Sequence, residues 1–157
     1  MNSLVILLGP TGVGKTELSL QVAERFGSPI ISSDSRQLYK DLPIGTAAPT
    51  PEQMARVKHY MVGTLSLTDY YSASNFEEDV VSLLSELHKT IPTVVMTGGS
   101  MMYIDAVCKG IDDIPTVTPE IRDALYMQFE TEGLAPILAE LKKQTLSIMR
   151  KVDRNNY

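Results

Sequence analysis

The feature that most constrains the fold is the octapeptide GPTGVGKT at residues 9–16. It fits the pattern G-x-x-x-x-G-K-[ST] at every fixed position, and it follows an apolar run, LVILL, at residues 4–8. In this pattern the glycines let successive backbone N–H groups point at an anion, and the next helix adds the positive end of its dipole. The octapeptide therefore predicts a phosphate-binding loop (P-loop) between a buried strand and a helix. A glycine-rich turn without a ligand is the competing interpretation.

The side chains of the loop predict what it binds. Lys15 can place a positive charge on phosphate oxygens, and the Thr16 hydroxyl can ligate Mg²⁺. The motif predicts a bound phosphate or diphosphate with Mg²⁺, but it does not identify the compound that carries the phosphate. The predicted diphosphate-binding residues are Gly9, Pro10, Thr11, Gly12, Val13, Gly14, Lys15 and Thr16.

Strand-like and helix-like patterns alternate over roughly the first 110 residues, which is typical of a parallel α/β sheet. The predicted strands are residues 4–8, 29–33 and 93–97, with a further candidate at 59–62. The first predicted helix is residues 15–26, with Leu18, Val22 and Phe26 as its apolar face. Capping boxes at Thr50 and Ser74 predict two further helices, the second of which ends at about residue 89. A fourth helix is predicted over residues 100–109. Two amphipathic helices, 119–131 and 135–150, follow without an intervening strand. We therefore predict a P-loop NTPase-like parallel sheet flanked by helices over residues 1–114, and a helical subregion over 115–157.

Composition excludes several classes of protein. A net charge of −5 argues against a generally basic protein that coats nucleic acid, although a local basic cleft is compatible with it. No apolar run reaches the roughly 18–20 residues needed to span a bilayer. The single cysteine, Cys108, excludes an intramolecular disulfide and is expected to be buried. We expect a monomeric protein of the reducing cytoplasm.

A second polar cluster, SSDSRQLY, occupies residues 32–39 directly after a predicted strand. In a parallel sheet this places Asp34 at the carboxyl end of the second strand, beside the phosphate-binding loop, where open α/β sheets bind their ligands. Asp34 can there act as a Mg²⁺ ligand, as a general base or as a ribose contact. It can also be the N-cap of the segment that follows. The residues alone leave these roles open.

Four segments in this order resemble the tRNA dimethylallyltransferase family, also called tRNA isopentenyltransferases. They are GPTGVGKT, SSDSRQLYKDLPIGTAAPT, KHYMVGTLSLTDYYSASNF and TVVMTGGSMMYIDAVCKGIDDIP. The resemblance covers about residues 4–157. The closing VDRNNY resembles the point where such proteins enter a further helix, and family members are about twice as long as this chain. The resemblance therefore implies that residues 115–157 begin a helical tRNA-binding insertion and return to the core, and that a C-terminal half is absent here.

The resemblance also implies an activity. The loop would bind the diphosphate of dimethylallyl diphosphate, and the dimethylallyl group would pass to N6 of an adenine next to the anticodon of tRNA, with Mg²⁺ present. Asp34 would take the N6 proton, and Lys15 and Thr16 would complete the catalytic set. The residues expected to contact the anticodon stem-loop are Asp34, Ser35, Arg36, Gln37, Ser100 and Arg122. Ser100 departs from the threonine usual in the family but keeps the hydroxyl.

Two other functions fit a P-loop sheet. The first is a small-molecule or nucleotide kinase, which the absence of an arginine-rich lid disfavours, since Arg150 and Arg154 are the only arginines after residue 122. The second is a nucleotide-binding switch without enzymatic activity. No DxxG or NKxD motif appears in the sequence, which disfavours the switch.

Overall fold

The computed structural model describes residues 1–10, 12–111 and 117–144. The predicted contact at Thr11 and the end of the predicted helix 135–150 lie outside the described residues. The chain divides into two compact units, Met1–Asp112 and Asp113–Tyr157, which are described separately below. Within the described residues, no helix combines the length and the apolar character required to cross a membrane.

The first unit contains a four-stranded sheet in which every pair of neighbouring strands is parallel. The strands are β1 (Ser3–Leu8), β2 (Ile30–Ser32), β3 (His59–Tyr60) and β4 (Thr93–Gly98), in the spatial order β1-β4-β2-β3. The two central strands carry fully buried apolar side chains, as strands covered on both faces require. The predicted parallel α/β sheet is confirmed, and the candidate strand at 59–62 is a short edge strand.

Helices connect these strands and cover the sheet. The first unit contains α1 (Lys15–Phe26), α2 (Pro51–Arg56), α3 (Ala73–Leu87) and α4 (Met101–Lys109), and the second contains α5 (Pro119–Glu132) and α6 (Leu134–Gln144). In the second unit α5 follows Thr118 with proline at its first position, and α5 and α6 contact each other.

The packing face of α1 differs from the predicted one. Leu18 and Phe26 are about half exposed, whereas Ser19, Leu20 and Ala23 are buried. The Ser19 hydroxyl donates to the Thr16 carbonyl oxygen at 2.8 Å, so this polar group is satisfied within the helix and can be buried. Val22, the third residue of the predicted face, is partly buried and packs against the buried cluster. The prediction was wrong for Leu18 and Phe26, because the buried face runs through Ser19, Leu20 and Ala23.

A second correction concerns the start of α3. The capping box is formed by Ser72 and Asn75, whose backbone N–H groups each donate to the other's side chain, and not by the predicted box at Ser74. Asn75 takes the place that Glu or Gln usually occupies, which hid the motif. From this start α3 buries Phe76, whose ring stacks on Tyr103 of α4 with centroids 4.5 Å apart. Cys108, predicted to be buried, is exposed in the last turn of α4, where the helix leaves the core.

Candidate active site

The phosphate-binding loop connects the end of β1 to the first residue of α1. Gly12 and Gly14 adopt φ angles of 85° and 86°, a left-handed conformation that residues with a Cβ rarely adopt. Gly14 immediately precedes α1, so the N–H groups of the first helical turn, which have no partner within the helix, are next to the loop. The positive end of the helix dipole lies at the same place. The backbone is thus arranged to bind an anion.

Lys15 and Thr16 bring their side chains to this loop. The Lys15 ammonium donates to the Pro10 carbonyl oxygen at 2.5 Å, which holds the positive charge across the loop. Thr16 is exposed in the first turn of α1. Two of the side chains predicted to participate in phosphate binding, Lys15 and Thr16, are therefore next to each other and accessible.

Asp34 lies two residues beyond the end of β2. One carboxylate oxygen, Oδ1, accepts the backbone N–H of Arg36 at 3.0 Å, so Asp34 does cap the turn that follows it. Its own N–H donates to the Ser32 hydroxyl at 3.3 Å. In the described part of the chain, the second oxygen, Oδ2, accepts no hydrogen bond. The cap therefore orients the carboxylate while leaving one oxygen for another molecule, so a capping role for Asp34 is compatible with a functional one.

The phosphate-binding loop and Asp34 line one cavity of about 360 Å³. Its wall includes Lys15, Thr16, Asp34 and Gln37 from the predicted set. The predicted anion-binding loop and a carboxylate therefore border the same space. A molecule with a diphosphate at one end can thus present its other end to the carboxylate.

Ser100 and Ser35 lie next to Asp34 but contact each other. The Ser35 N–H donates to the Ser100 hydroxyl oxygen at 2.9 Å, and the Ser100 hydroxyl lies 3.1 Å from that of Ser35. Arg36 is exposed on the same turn. Arg122 lies on α5 in the second unit, where its backbone N–H donates to the Thr118 carbonyl oxygen at 3.2 Å. The first unit therefore brings together Ser35, Arg36 and Ser100, whereas Arg122 belongs to the other unit.

His59 lines the cavity, and the sequence gave no reason to expect it there. Its Nδ1 lies 2.8 Å from the Val57 carbonyl oxygen, to which it donates, so Nε2 of the neutral ring is an acceptor. Burial lowers the pKa of the imidazole, which favours the neutral form near pH 7. No motif spacing indicated this residue, because it reaches the cavity through the pairing of β3 with β2.

The donor atoms of the cavity suit a hard cation. In the described ranges no cluster of three His, Cys, Asp or Glu residues could hold a metal ion. Thr16 and Asp34 supply oxygen atoms, which Mg²⁺ prefers, and protein sites for Mg²⁺ often use few side chains and take the remaining ligands from phosphates and water. The residues present therefore fit Mg²⁺ bound together with a diphosphate.

A parallel α/β sheet with a glycine-rich loop of the P-loop pattern after its first strand and an acidic residue after its second is typical of P-loop NTPase-like α/β proteins. Comparison with known proteins defines it further, because residues 37–157 match the family model described as IPP transferase. The chain belongs to the IPP transferase family.

Relatives and solved structures agree with this assignment. The chain is 94% identical over 157 residues to "tRNA dimethylallyltransferase 2" of Parabacteroides distasonis and 60% identical over 156 residues to a protein of the same name from Porphyromonas gingivalis. The first match includes 100% of this chain and the second includes 99% of it. Each match includes only 52% of the relative, so the chain spans about half the length of these curated relatives.

Two solved structures share the fold over the whole chain. The full-length tRNA isopentenylpyrophosphate transferase of Bacillus halodurans matches with a TM-score of 0.69 and 28% identity, and the chain covers 52% of it. A eukaryotic dimethylallyltransferase acting on tRNA matches with a TM-score of 0.81 and 26% identity, and the chain covers 39% of it. The P-loop NTPase-like fold predicted from the sequence is confirmed.

Proposed function

We propose that this chain is part of an enzyme that transfers a dimethylallyl group from dimethylallyl diphosphate to N6 of an adenine beside the anticodon in tRNA. The observation that carries the proposal is the shared cavity of the phosphate-binding loop and Asp34 in a member of the IPP transferase family. Relatives are named tRNA dimethylallyltransferase, and a structural neighbour acts on tRNA.

The loop suits the leaving group of this reaction. Breaking the bond between the allylic carbon and oxygen leaves negative charge on diphosphate. The N–H groups of the loop and the Lys15 ammonium are fixed donors for that charge, and fixed donors stabilise a transition state without reorganising. Mg²⁺ held near Thr16 would supply further neutralisation of the diphosphate.

Asp34 suits the acceptor side. The exocyclic amine of adenine is a poor nucleophile because its lone pair is delocalised into the ring. A hydrogen bond from N6 to Asp34 Oδ2 raises its nucleophilicity as the new carbon–nitrogen bond forms, and the carboxylate then takes the N6 proton. Diphosphate leaves with the electron pair of the broken carbon–oxygen bond, so atoms and charge balance.

The tRNA would approach from the side of the Asp34 turn. The adenine must leave its stack to reach the cavity, which costs little for a base in an anticodon loop. The exposed guanidinium of Arg36 can contact phosphate or base, since it presents several donors in a fixed plane. We propose Ser35, Ser100 and Arg122 as further tRNA contacts, and a monomer in the cytoplasm, where tRNA substrates occur.

The test uses a hybrid protein, in which this chain is joined to the part of the Parabacteroides distasonis relative that it does not cover. The junction is nearly native because the two sequences are 94% identical. With labelled dimethylallyl diphosphate and an anticodon stem-loop, we expect label on N6 of one adenine. Phosphoryl transfer from ATP to a small acceptor, with no label in RNA, would instead support a P-loop kinase.

A further inference from the structure

One segment that lines the cavity has no regular secondary structure. This segment, residues 42–49, is here named the strap; it lies between the Asp34 turn and α2. Thr46, Ala47 and Pro49 of the strap line the same cavity as Lys15 and Thr16. The strap therefore forms one wall of the space where a diphosphate donor would bind.

The strap is folded on itself by a few hydrogen bonds. The N–H groups of Thr46 and Ala48 donate to the carbonyl oxygens of Leu42 and Pro43, at 3.2 and 3.0 Å. Ala47 has a φ of 49°, a left-handed conformation that is uncommon for a residue with a Cβ. Such a conformation persists only where the surroundings hold it, and these positions are frequent at ligand-binding sites.

Gln37 supplies that hold. Its side-chain Nε2 donates to the carbonyl oxygens of Thr46 at 3.2 Å and of Ala47 at 3.1 Å. Because both partners are carbonyl oxygens, the amide nitrogen must face the strap, which fixes the orientation of the amide group. Its Oε1 then accepts the Ser32 hydroxyl at 2.9 Å. The side-chain amide nitrogen of Gln37 therefore donates its hydrogen bonds within the protein.

The same network reaches the backbone of Asp34. Ser32 donates to Gln37 and accepts the N–H of Asp34, so a continuous series of hydrogen bonds runs from the strap through Gln37 and Ser32 to Asp34. The backbone adds a second connection, since the Gln37 N–H donates to the Asp34 carbonyl oxygen at 3.2 Å. A displacement of the strap can therefore change the position of Asp34.

We propose that Gln37 is a positioning residue for the donor, whose amide holds the strap in place as a wall of the cavity and couples it to Asp34. The inference rests on the proposed function only in naming dimethylallyl diphosphate as the molecule that the strap covers. This role replaces the contact to tRNA that the sequence suggested for Gln37, because the amide nitrogen already donates to the strap.

Gln37→Met tests the proposal, since methionine has a similar length but cannot hold the two carbonyl groups. In the hybrid protein we expect amide hydrogen exchange in residues 44–48 to become faster by about tenfold, the effect of losing about one net hydrogen bond or somewhat more. KM for dimethylallyl diphosphate is expected to rise by a similar factor, while KM for the stem-loop stays unchanged. Gln37→Glu keeps the shape but places a carboxylate oxygen against two carbonyl oxygens, and it is expected to loosen the strap at least as much.

Arg36→Met is the matched control on the same turn, because Arg36 is exposed and has been proposed to contact RNA. It is expected to do the reverse, raising KM for the stem-loop without faster exchange in the strap. Unchanged exchange in Gln37→Met, with a raised KM for the stem-loop alone, would overturn the proposal.

Exchange in the presence of inorganic diphosphate separates this inference from the proposed function. If the hybrid protein transfers nothing, the proposed function fails. The strap proposal still requires diphosphate to slow exchange in residues 44–48 of the wild type more than in Gln37→Met, and equal protection in both would overturn it.

Discussion

Ser35 and Ser100 are joined by two hydrogen bonds although they are 65 positions apart in the chain. The first follows β2 and the second precedes α4, so the pair ties the Asp34 turn to the start of a helix that packs in the core. The Ser100 side chain makes no hydrogen bond to its own helix, because it is turned towards Ser35. The position of Asp34 therefore depends on a residue from a distant part of the sequence.

Ser100→Ala removes the acceptor of the Ser35 N–H and should let the Asp34 turn shift. We expect the single-turnover transfer rate of the hybrid protein to fall by about fivefold, which corresponds to about 1 kcal/mol for one net hydrogen bond. Ser100→Thr keeps the hydroxyl and should retain nearly the full rate. If Ser100→Ala instead weakens stem-loop binding and leaves the rate at saturation unchanged, the hydroxyl acts on the RNA and not on the turn.

Gly98 allows the ends of β4 and β2 to approach each other closely. A Cβ at this position would lie 2.5 Å from the carbonyl carbon of Ser33 and 2.7 Å from its oxygen, so the backbone before Asp34 would have to move. We expect Gly98→Ala to lower the stability of the first unit by about 1–3 kcal/mol, the usual range for overpacking, and to lower the melting temperature and the transfer rate.

Gly99→Ala is the control for this prediction. A Cβ there would meet the Gly9 carbonyl oxygen at 3.8 Å, which is an ordinary contact. A melting temperature equal to that of the wild type is expected for Gly99→Ala, and equal melting temperatures for both variants would show that the strand ends can separate without cost.

His59 should make the stability depend on pH. Burial lowers the pKa of His59 below its ordinary value of 6.5, so the unfolded chain binds a proton that the folded chain does not. Stability is therefore retained above about pH 6.5 and falls as the pH drops towards the pKa of the folded state. His59→Asn keeps a donor for the Val57 carbonyl oxygen but does not titrate, so its melting temperature should fall less between pH 7 and pH 5. The same fall in both proteins would assign the effect to other groups.

Lys15 is expected to dominate the affinity for diphosphate. Calorimetric titration of the hybrid protein with dimethylallyl diphosphate and Mg²⁺ should show at least tenfold weaker binding for Lys15→Ala, since a charged hydrogen bond contributes roughly 1.5–3 kcal/mol. Lys89→Ala removes the same charge just beyond α3, where Lys89 pairs with Glu86, and should leave the affinity unchanged. Equal affinities in all three proteins would exclude the loop as the diphosphate site.

The parts of the fold that depend on local sequence were the parts that could be predicted. The strands before and after α1, the start of α1 at Lys15 and the cap at Thr50 follow from residues close together in the chain, and the structure confirms them. The buried face of α1 was not evident from the apolar periodicity, because it includes the polar residue Ser19. Its hydroxyl can be buried since it donates a hydrogen bond to a carbonyl oxygen of the same helix.

Of the candidate site, the sequence predicted residues that line the cavity at the edge of the sheet but not the residues that orient them. The octapeptide and the strand before Asp34 indicated that Lys15, Thr16 and Asp34 meet at one edge of the sheet. The partners that orient these residues come from elsewhere: Ser100 lies 65 positions after Ser35, and Ala47 lies 10 positions after Gln37. Contacts of this kind depend on the completed fold, and no local pattern specifies them.

The most direct test of the account is the single-turnover rate of Asp34→Asn in the hybrid protein. An asparagine Oδ1 can accept the Arg36 N–H as Asp34 does, and Asn and Asp are about equally good caps, so the turn should be preserved. An amide cannot take the N6 proton, and general bases typically contribute about 10²–10⁴-fold. We expect the transfer rate to fall by that factor while the affinity for dimethylallyl diphosphate stays close to that of the wild type. A rate near that of the wild type would contradict the account, because it would show that Asp34 is a structural cap and not the base.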